Sequence, residues 1–286
     1  MMHHVSIIVL THNRRHELLH TLDKLHGLEA PYAIYVVDNA STDDSAAAVL
    51  ERHPDCRVIR LRRNIGAAGR NAGVAAARTP YVAFCDDDTW WAPGALARAS
   101  NVMDSFPRLA ALTACVLVGS EARIDPACAR MARSPLPNEL GVPGTAVLGC
   151  LAGACIMRRS AFMEVGGYQP RFFLGKEEAL LALDLMAAGW NMAYIPSVIV
   201  HHHPSASRDA TVRRRLLLRN GLWCAWLRRP WKSAAHETAR LMRTAMLDPA
   251  GLRGAVEALG AMPWILRNRR VIPPRVEHAL QLVQQD

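Results

Sequence analysis

The chain reads as an α/β protein with a mostly parallel central sheet, helices on both faces, and a C-terminal helical appendage. Three observations predict this. Four short apolar runs alternate with four helix-like segments over residues 5–106, the βαβα order that builds parallel sheets. Each run is followed directly by polar residues, and ligands of such sheets gather at the carboxyl ends of strands. Charge is also partitioned: residues 1–207 hold 19 Lys/Arg and 19 Asp/Glu, residues 208–286 hold 15 and 6, and the second segment therefore carries the whole net charge of +9. The expected division is an α/β domain over residues 1–207 and a basic helical region over 208–286.

The elements follow in order. Residues 5–10, with Val5, Ile7, Ile8 and Val9, form the first strand, and residues 15–25 the first helix. Residues 33–37 and 45–52 make the second pair, residues 58–61 and 67–77 the third, and residues 81–84 and 93–106 the fourth. Residues 153–168 begin in an apolar segment and end at Gly166 and Gly167. A helix over 177–188 and a strand ending in His201-His202-His203 follow. Beyond residue 207, a run with Arg213, Arg214, Arg215, Trp223, Trp226 and Arg229 is helix-like until Pro230 stops it. Residues 234–247, 251–259 and 276–283 are further helices. The loop over residues 120–148, rich in Pro, Ala and Arg, identifies no ligand.

The strand ends carry the chemistry. Strand one ends in Thr11-His12-Asn13-Arg14, strand two in Asp38-Asn39-Ala40-Ser41-Thr42-Asp43, strand three in Arg62-Arg63-Asn64-Ile65-Gly66, and strand four in Asp86-Asp87-Asp88. Adjacent carboxylates repel and are costly to desolvate, so three together after an apolar strand point to a cation. A divalent metal carrying a diphosphate satisfies them. Asp38 suits a base or ribose, while Ser41 and Thr42 suit helix capping. The small residues from Asn64 to Gly73 admit a phosphate to backbone N–H groups, with Arg70 adding charge; the competing use is tight helix–sheet packing. Trp90 and Trp91 suit stacking on an acceptor sugar or packing of a helix.

Length and an apolar half of the composition allow a large core. The seven cysteines are odd in number and lack Cys-x-x-Cys spacing, so neither a zinc site nor a disulfide scaffold is expected, and they read as reduced thiols. The N-terminus runs into a strand without a leader pattern, and the uncharged stretch at residues 141–157 is short and broken by Pro143, Gly144, Gly149 and Gly153. The expected location is cytoplasmic.

Val5 to Arg14, Val36 to Asp43, Asn64 to Gly73 and Asp86-Asp87-Asp88 together resemble the ordered signature of family 2 glycosyltransferases, over roughly residues 5–204. The resemblance implies the GT-A fold and metal-dependent, inverting sugar transfer from a nucleotide-diphosphate donor to an acceptor hydroxyl, with Mn²⁺ or Mg²⁺. It implies a donor linked to UDP, GDP or dTDP, and an acceptor glycan, lipid-linked or small molecule. It assigns the nucleotide to Thr11, Asn13, Arg14, Asp38, Asn64, Gly66, Arg70, Asp86 and Asp87, and the metal to Asp88 and Asp86 with His202 or His201. Strand alternation separates His202 from His201 and His203, so one histidine is expected to ligate. Glu178 falls where the family carries its catalytic Asp, and Glu177 is the alternative base, since Glu-Glu replaces the commoner Glu-Asp. Helix-dipole stabilisation is the competing role for both glutamates.

Two other readings are kept: a catalytically idle nucleotide-sugar-binding or membrane-docking protein on the same fold, and a nucleotidyltransferase, whose glycine-rich, lysine-containing first motif is absent. The Trp- and Arg-rich helix of the tail either rests on the inner face of an anionic membrane or packs its aromatic side on the α/β domain. No reader fold accompanies the basic surface, so nucleic acid is not an expected partner.

Overall fold

The computed structural model describes residues 4–204, 210–245 and 249–285. The N-terminal part contains β1 (Val5–Thr11), α1 (Arg15–His26), β2 (Ala33–Asp38), α2 (Ser45–Arg52), β3 (Arg57–Arg60), a 3₁₀ turn (Gly66–Gly69), α3 (Arg70–Ala76), β4 (Tyr81–Asp86), β5 (Thr89–Trp91) and α4 (Ala95–Ser105). There follow β6 (Leu109–Val118), β7 (Arg123–Ile124), α5 (Pro126–Met131), β8 (Thr145–Ala146), β9 (Cys155–Arg158), α6 (Arg159–Glu164), a 3₁₀ turn (Pro170–Phe172), α7 (Glu177–Ala187) and β10 (Asn191–His202). Among the described residues five helices follow: α8 (Ala210–Arg228), α9 (Trp231–Ala245), α10 (Pro249–Gly260), α11 (Met262–Asn268) and α12 (Pro274–Gln285).

The strands form one sheet in the order β3-β2-β1-β4-β9-β6-β10-β5, with β7 beside β6 and β8 beside β10. The long ladders, β1 with β2 and β4, β2 with β3, and β6 with β10, are parallel. β9 enters antiparallel to both β4 and β6, so the sheet is mixed around the point where its order reverses. β1 is buried on both faces, as a central strand between helical layers must be. Gly73 lets α3 close onto it, because a Cβ there would lie 2.6 Å from Ile8 Cγ2.

The strand β6 has no counterpart in the sequence reading. Its composition, Leu-Ala-Ala-Leu-Thr-Ala-Cys-Val-Leu-Val, is alanine-rich and continuously apolar, and periodicity does not separate a fully buried strand from a helix in such a run. β4 also extends two residues beyond its expected end, to Asp86.

The helices after residue 210 pack around a second apolar cluster that includes Leu218, Leu222, Trp223 and Ile265, and that also takes in Phe172, Leu180 and Leu183. α7 therefore buries one side against the sheet and the other against the tail. Trp223 is buried and Arg228, Arg229 and Arg219 pair with Asp184, Glu277 and Glu257. The Trp-rich helix is thus a packing element, and much of its positive charge is neutralised within the fold.

Candidate active site

The site lies along the carboxyl edge of β1, β2 and β4 and the end of β10. β4 ends at Asp86, and a tight turn returns the chain into β5, which pairs antiparallel with Val200, His201 and His202 of β10. The backbone N–H of His203 donates to the Asp88 carbonyl at 2.9 Å. This turn is braced by Thr89, whose hydroxyl accepts from the Asp86 N–H at 2.8 Å and reaches the Gly153 carbonyl at 3.0 Å.

The three carboxylates diverge. Asp86 is half-exposed and pairs with the buried guanidinium of Arg70, the first residue of α3. Gly153 allows Asp86 to stand there, since a Cβ at that position would fall 2.5 Å from Asp86 Oδ2. Asp88 is buried; its Oδ2 accepts from Arg14 at 2.9 Å and its Oδ1 lies 3.5 Å from Nε2 of His202. Burial acts to raise the Asp88 carboxyl, but the hydrogen bond with His202 and the Arg14 charge outweigh it and hold the group below its usual range. Asp87 turns inward, where Thr11 Oγ1 donates to it at 2.9 Å and Arg14 at 2.5 Å. Burial pushes Asp87 up to about 7 against the pull of Arg14.

Several expected contacts are corrected by this arrangement. Thr11 and Asp87 are buried and bonded to one another beneath the edge, so their side chains hold β1 to the acidic turn and do not face a nucleotide. Trp91 is wholly buried in the main core and has no face to offer a sugar. Ser41 and Thr42 do not cap α2; Asp43 does the work there, accepting from the Ser45 N–H at 3.1 Å. The expected free N–H groups after Asn64 are partly taken, because Ala67 donates to the Phe173 carbonyl at 2.8 Å. Gly66 makes that approach possible at φ +64°, where a Cβ would lie within 1.8 Å of Phe173 O.

The other edge residues knit the loops. Asn13, at φ +53°, accepts from the Thr42 N–H at 2.7 Å. Asp38 is buried, accepts from the Ser41 N–H at 2.8 Å, and has Arg60 at 3.5 Å. Asn64 Oδ1 accepts from the Gly66 N–H at 2.9 Å. Alternation at the end of β10 sends His202 to Asp88, whereas His201 and His203 flank the Trp90 ring at 5.8 and 5.0 Å between centroids. Trp90 is half-buried and, with His16, His20 and His203, borders an open cleft of about 370 Å³ beside Asp88.

Across the site, Gly175 and Lys176 at φ +87° and +69° turn the chain into α7. Glu177 is buried and burial, reinforced by Glu178, pushes it up to about 8. Glu178 is half-buried; burial raises it too, Arg70 opposes, and the Asp86 charge adds to the rise. Glu178 therefore shares the electrostatic neighbourhood of the Arg70–Asp86 pair. Phe173 and Gly153, which shape this neighbourhood by backbone approach, were not singled out by sequence, because a close carbonyl or a missing Cβ leaves no compositional signal.

A metal fits the donor set at Asp88 and His202: a carboxylate oxygen and an imidazole nitrogen, both buried, converge at 3.5 Å, near the roughly 3 Å between adjacent ligands of an octahedral ion. His201 points away and is not part of this set. Elsewhere among the described residues, His26, Asp55 and Cys56 bring ligand atoms within 4.8 Å of one another. There His26 already bonds both the Leu22 carbonyl, at 2.8 Å, and Asp55, at 2.9 Å. All seven cysteines are free and buried.

Comparison with known proteins agrees with this architecture. The family model described as glycosyl transferase family 2 matches residues 6–166. An N-acetylglucosaminyl-diphospho-decaprenol L-rhamnosyltransferase of Mycobacterium tuberculosis is 29% identical over 211 residues, covering 63% of this chain and 69% of the relative. Among solved structures, S. aureus TarS 1-349 in complex with UDP-GlcNAc superposes with a TM-score of 0.64 at 16% identity, covering 96% of this chain and 83% of that one. The mannosyltransferase PcManGT of Pyrobaculum calidifontis, in complex with GDP-Man and Mn²⁺, superposes with a TM-score of 0.61 at 18% identity, covering 99% and 75%. The match over more than half the chain and the shared GT-A architecture establish the protein as an enzyme belonging to glycosyltransferase family 2.

Proposed function

We propose that this enzyme transfers a sugar, with inversion, from a nucleotide-diphosphate donor to a hydroxyl of a lipid-linked glycan, using a divalent ion. The observation that carries the reading is that Arg70 pairs with Asp86 and Asp88 lies against His202 at one sheet edge, with Glu178 of α7 in the electrostatic neighbourhood of the Arg70–Asp86 pair. Arg70 and Asp86 hold the nucleotide, with Asp38 toward the base. Asp88 and His202 hold the ion, which when bound neutralises the departing diphosphate. Glu178 removes the acceptor hydroxyl proton, and a carboxyl raised by burial suits that task near neutral pH. The rhamnosyltransferase relative, whose name specifies a decaprenol-linked acceptor, supports the acceptor class.

A half-buried carboxyl at Glu178 beside the Arg70–Asp86 pair, together with the Asp88–His202 pair, supports catalysis over an idle binding role. The test is a panel of UDP-, GDP- and dTDP-sugars assayed for hydrolysis and for transfer to a prenyl-diphosphate glycan, with Mn²⁺ or Mg²⁺. The reading requires ion-dependent release of nucleoside diphosphate from at least one donor. Absence of turnover for every donor, with nucleotide still binding, would return the protein to the idle reading.

A further inference from the structure

Helix α10 is amphipathic in the wrong sense for a water-exposed helix. It turns Ala250, Gly251, Gly254, Ala255 and Ala258 inward and presents Leu252, Val256 and Leu259 to solvent, the last two each 69% exposed. The inward contact is backbone-close: a Cβ on Gly254 would lie 2.5 Å from the Arg215 carbonyl of α8. Burying the small residues and exposing the large ones forgoes the hydrophobic gain an ordinary surface helix makes. Spacings of four and three place the three aliphatic side chains on one stripe. Arg253, beside Leu252 on the same helix, is exposed, and so is Arg213 of α8. They belong to a segment with 15 basic and 6 acidic residues.

Helix α10 is tied to the loop that precedes Glu178. Arg219 of α8 donates to Glu257 of α10 at 3.4 Å and to the Phe172 carbonyl at 3.0 Å, tying α10 to the loop in which Phe173 and Leu174 are exposed. Glu178 lies in the first turn of α7, just beyond that loop. Among the described residues no helix is long and apolar enough to cross a membrane. An interfacial contact needs no such span: aliphatic side chains enter the headgroup boundary and arginines meet anionic phosphates.

We infer that α10 is a docking surface for an anionic lipid bilayer, with Leu252, Val256 and Leu259 inserting and Arg213 and Arg253 contacting headgroups, so that the loop before Glu178 faces the membrane. The inference rests on the proposed acceptor class only for its purpose, not for the contact itself. It differs from membrane binding through the Trp-rich face of α8, which the fold consumes internally.

The test is flotation of the full chain with phosphatidylcholine vesicles and with equimolar phosphatidylcholine/phosphatidylglycerol vesicles at low and high salt. The intact chain should float with the anionic vesicles at low salt and partition less at high salt. A Leu252→Gln/Val256→Gln/Leu259→Gln variant should lose about tenfold or more of that partitioning, with circular dichroism and donor hydrolysis in vesicle-free solution unchanged. Arg213→Gln/Arg253→Gln should weaken binding and flatten its salt dependence. No flotation of the intact chain, or equal flotation of the triple variant, would overturn the proposal. So would sedimentation showing that the stripe instead joins two copies of the chain, dissociated by the same variant. Because flotation requires no turnover, lost docking and absent sugar transfer are read separately.

Discussion

Nε2 of His202, at the end of β10, lies 3.5 Å from Oδ1 of Asp88, in the turn between β4 and β5. The two residues are far apart in the chain and meet because β5 folds back antiparallel on β10, pairing Thr89 with His202. The Arg14 guanidinium fixes the other carboxylate oxygen at 2.9 Å. A carboxylate and an imidazole are thus held facing one another by the fold itself, which lowers the ordering cost of binding an ion there.

The base assignment yields the first prediction. Glu178→Gln should reduce kcat by about two to four orders of magnitude while leaving nucleotide affinity nearly unchanged, measured by steady-state kinetics and calorimetry. Glu177→Gln should retain most turnover, because Glu177 is buried whereas Glu178 is only partly so. The reverse pattern would move the base by one residue.

Glu177 also sets a pH dependence of stability. Its carboxyl rises from an ordinary value near 4.5 to about 8 in the fold, chiefly through burial. Between those values the native state holds a proton that the unfolded chain has released, so this group's contribution to stability is full at low pH and is lost as pH rises toward 8. Thermal melts of Glu177→Gln and the parent at pH 5 to 8.5 check this. The parent should lose Tm relative to the variant as pH rises, and parallel curves would contradict the assignment.

Two glycines separate structural from catalytic effects. Gly66→Ala places a Cβ on the Phe173 carbonyl and a side chain at positive φ, and should cost at least about 1–2 kcal/mol of stability, read by denaturant unfolding. Gly153→Ala pushes on Asp86 and should weaken nucleotide binding more than it lowers Tm. An unaltered nucleotide affinity in Gly153→Ala would mean that Asp86 tolerates displacement.

What the sequence made legible was the order of the strands and the clustering of polar residues at their ends, because apolar runs broken by Asp38, Asn64 and Asp86 are a local pattern. Which way each edge residue points was less legible. A single residue of phase decides whether a side chain faces ligand or core, and β4 continues to Asp86 before β5 restarts at Thr89. Asp87 and Trp91 therefore point inward while Asp86 and Trp90 do not. β6 escaped notice because alanine and leucine suit a helix as well as a doubly buried strand. The positive charge after residue 207 left α8 open to a membrane contact or to packing on the α/β domain, and the partners of Arg219, Arg228 and Arg229 come from sequence-distant residues, which composition does not reveal.

The claim on which the proposed reaction turns is that Asp88 and His202 hold an ion that carries the donor's diphosphate. Calorimetric titration with UDP, GDP and dTDP, in Mn²⁺ and in excess chelator, tests it most directly. The account predicts tight binding of at least one nucleotide only with Mn²⁺, weakened by about a hundredfold in Asp88→Asn and in His202→Ala. Equal affinity in chelator, or variants that bind as the parent does, would contradict it.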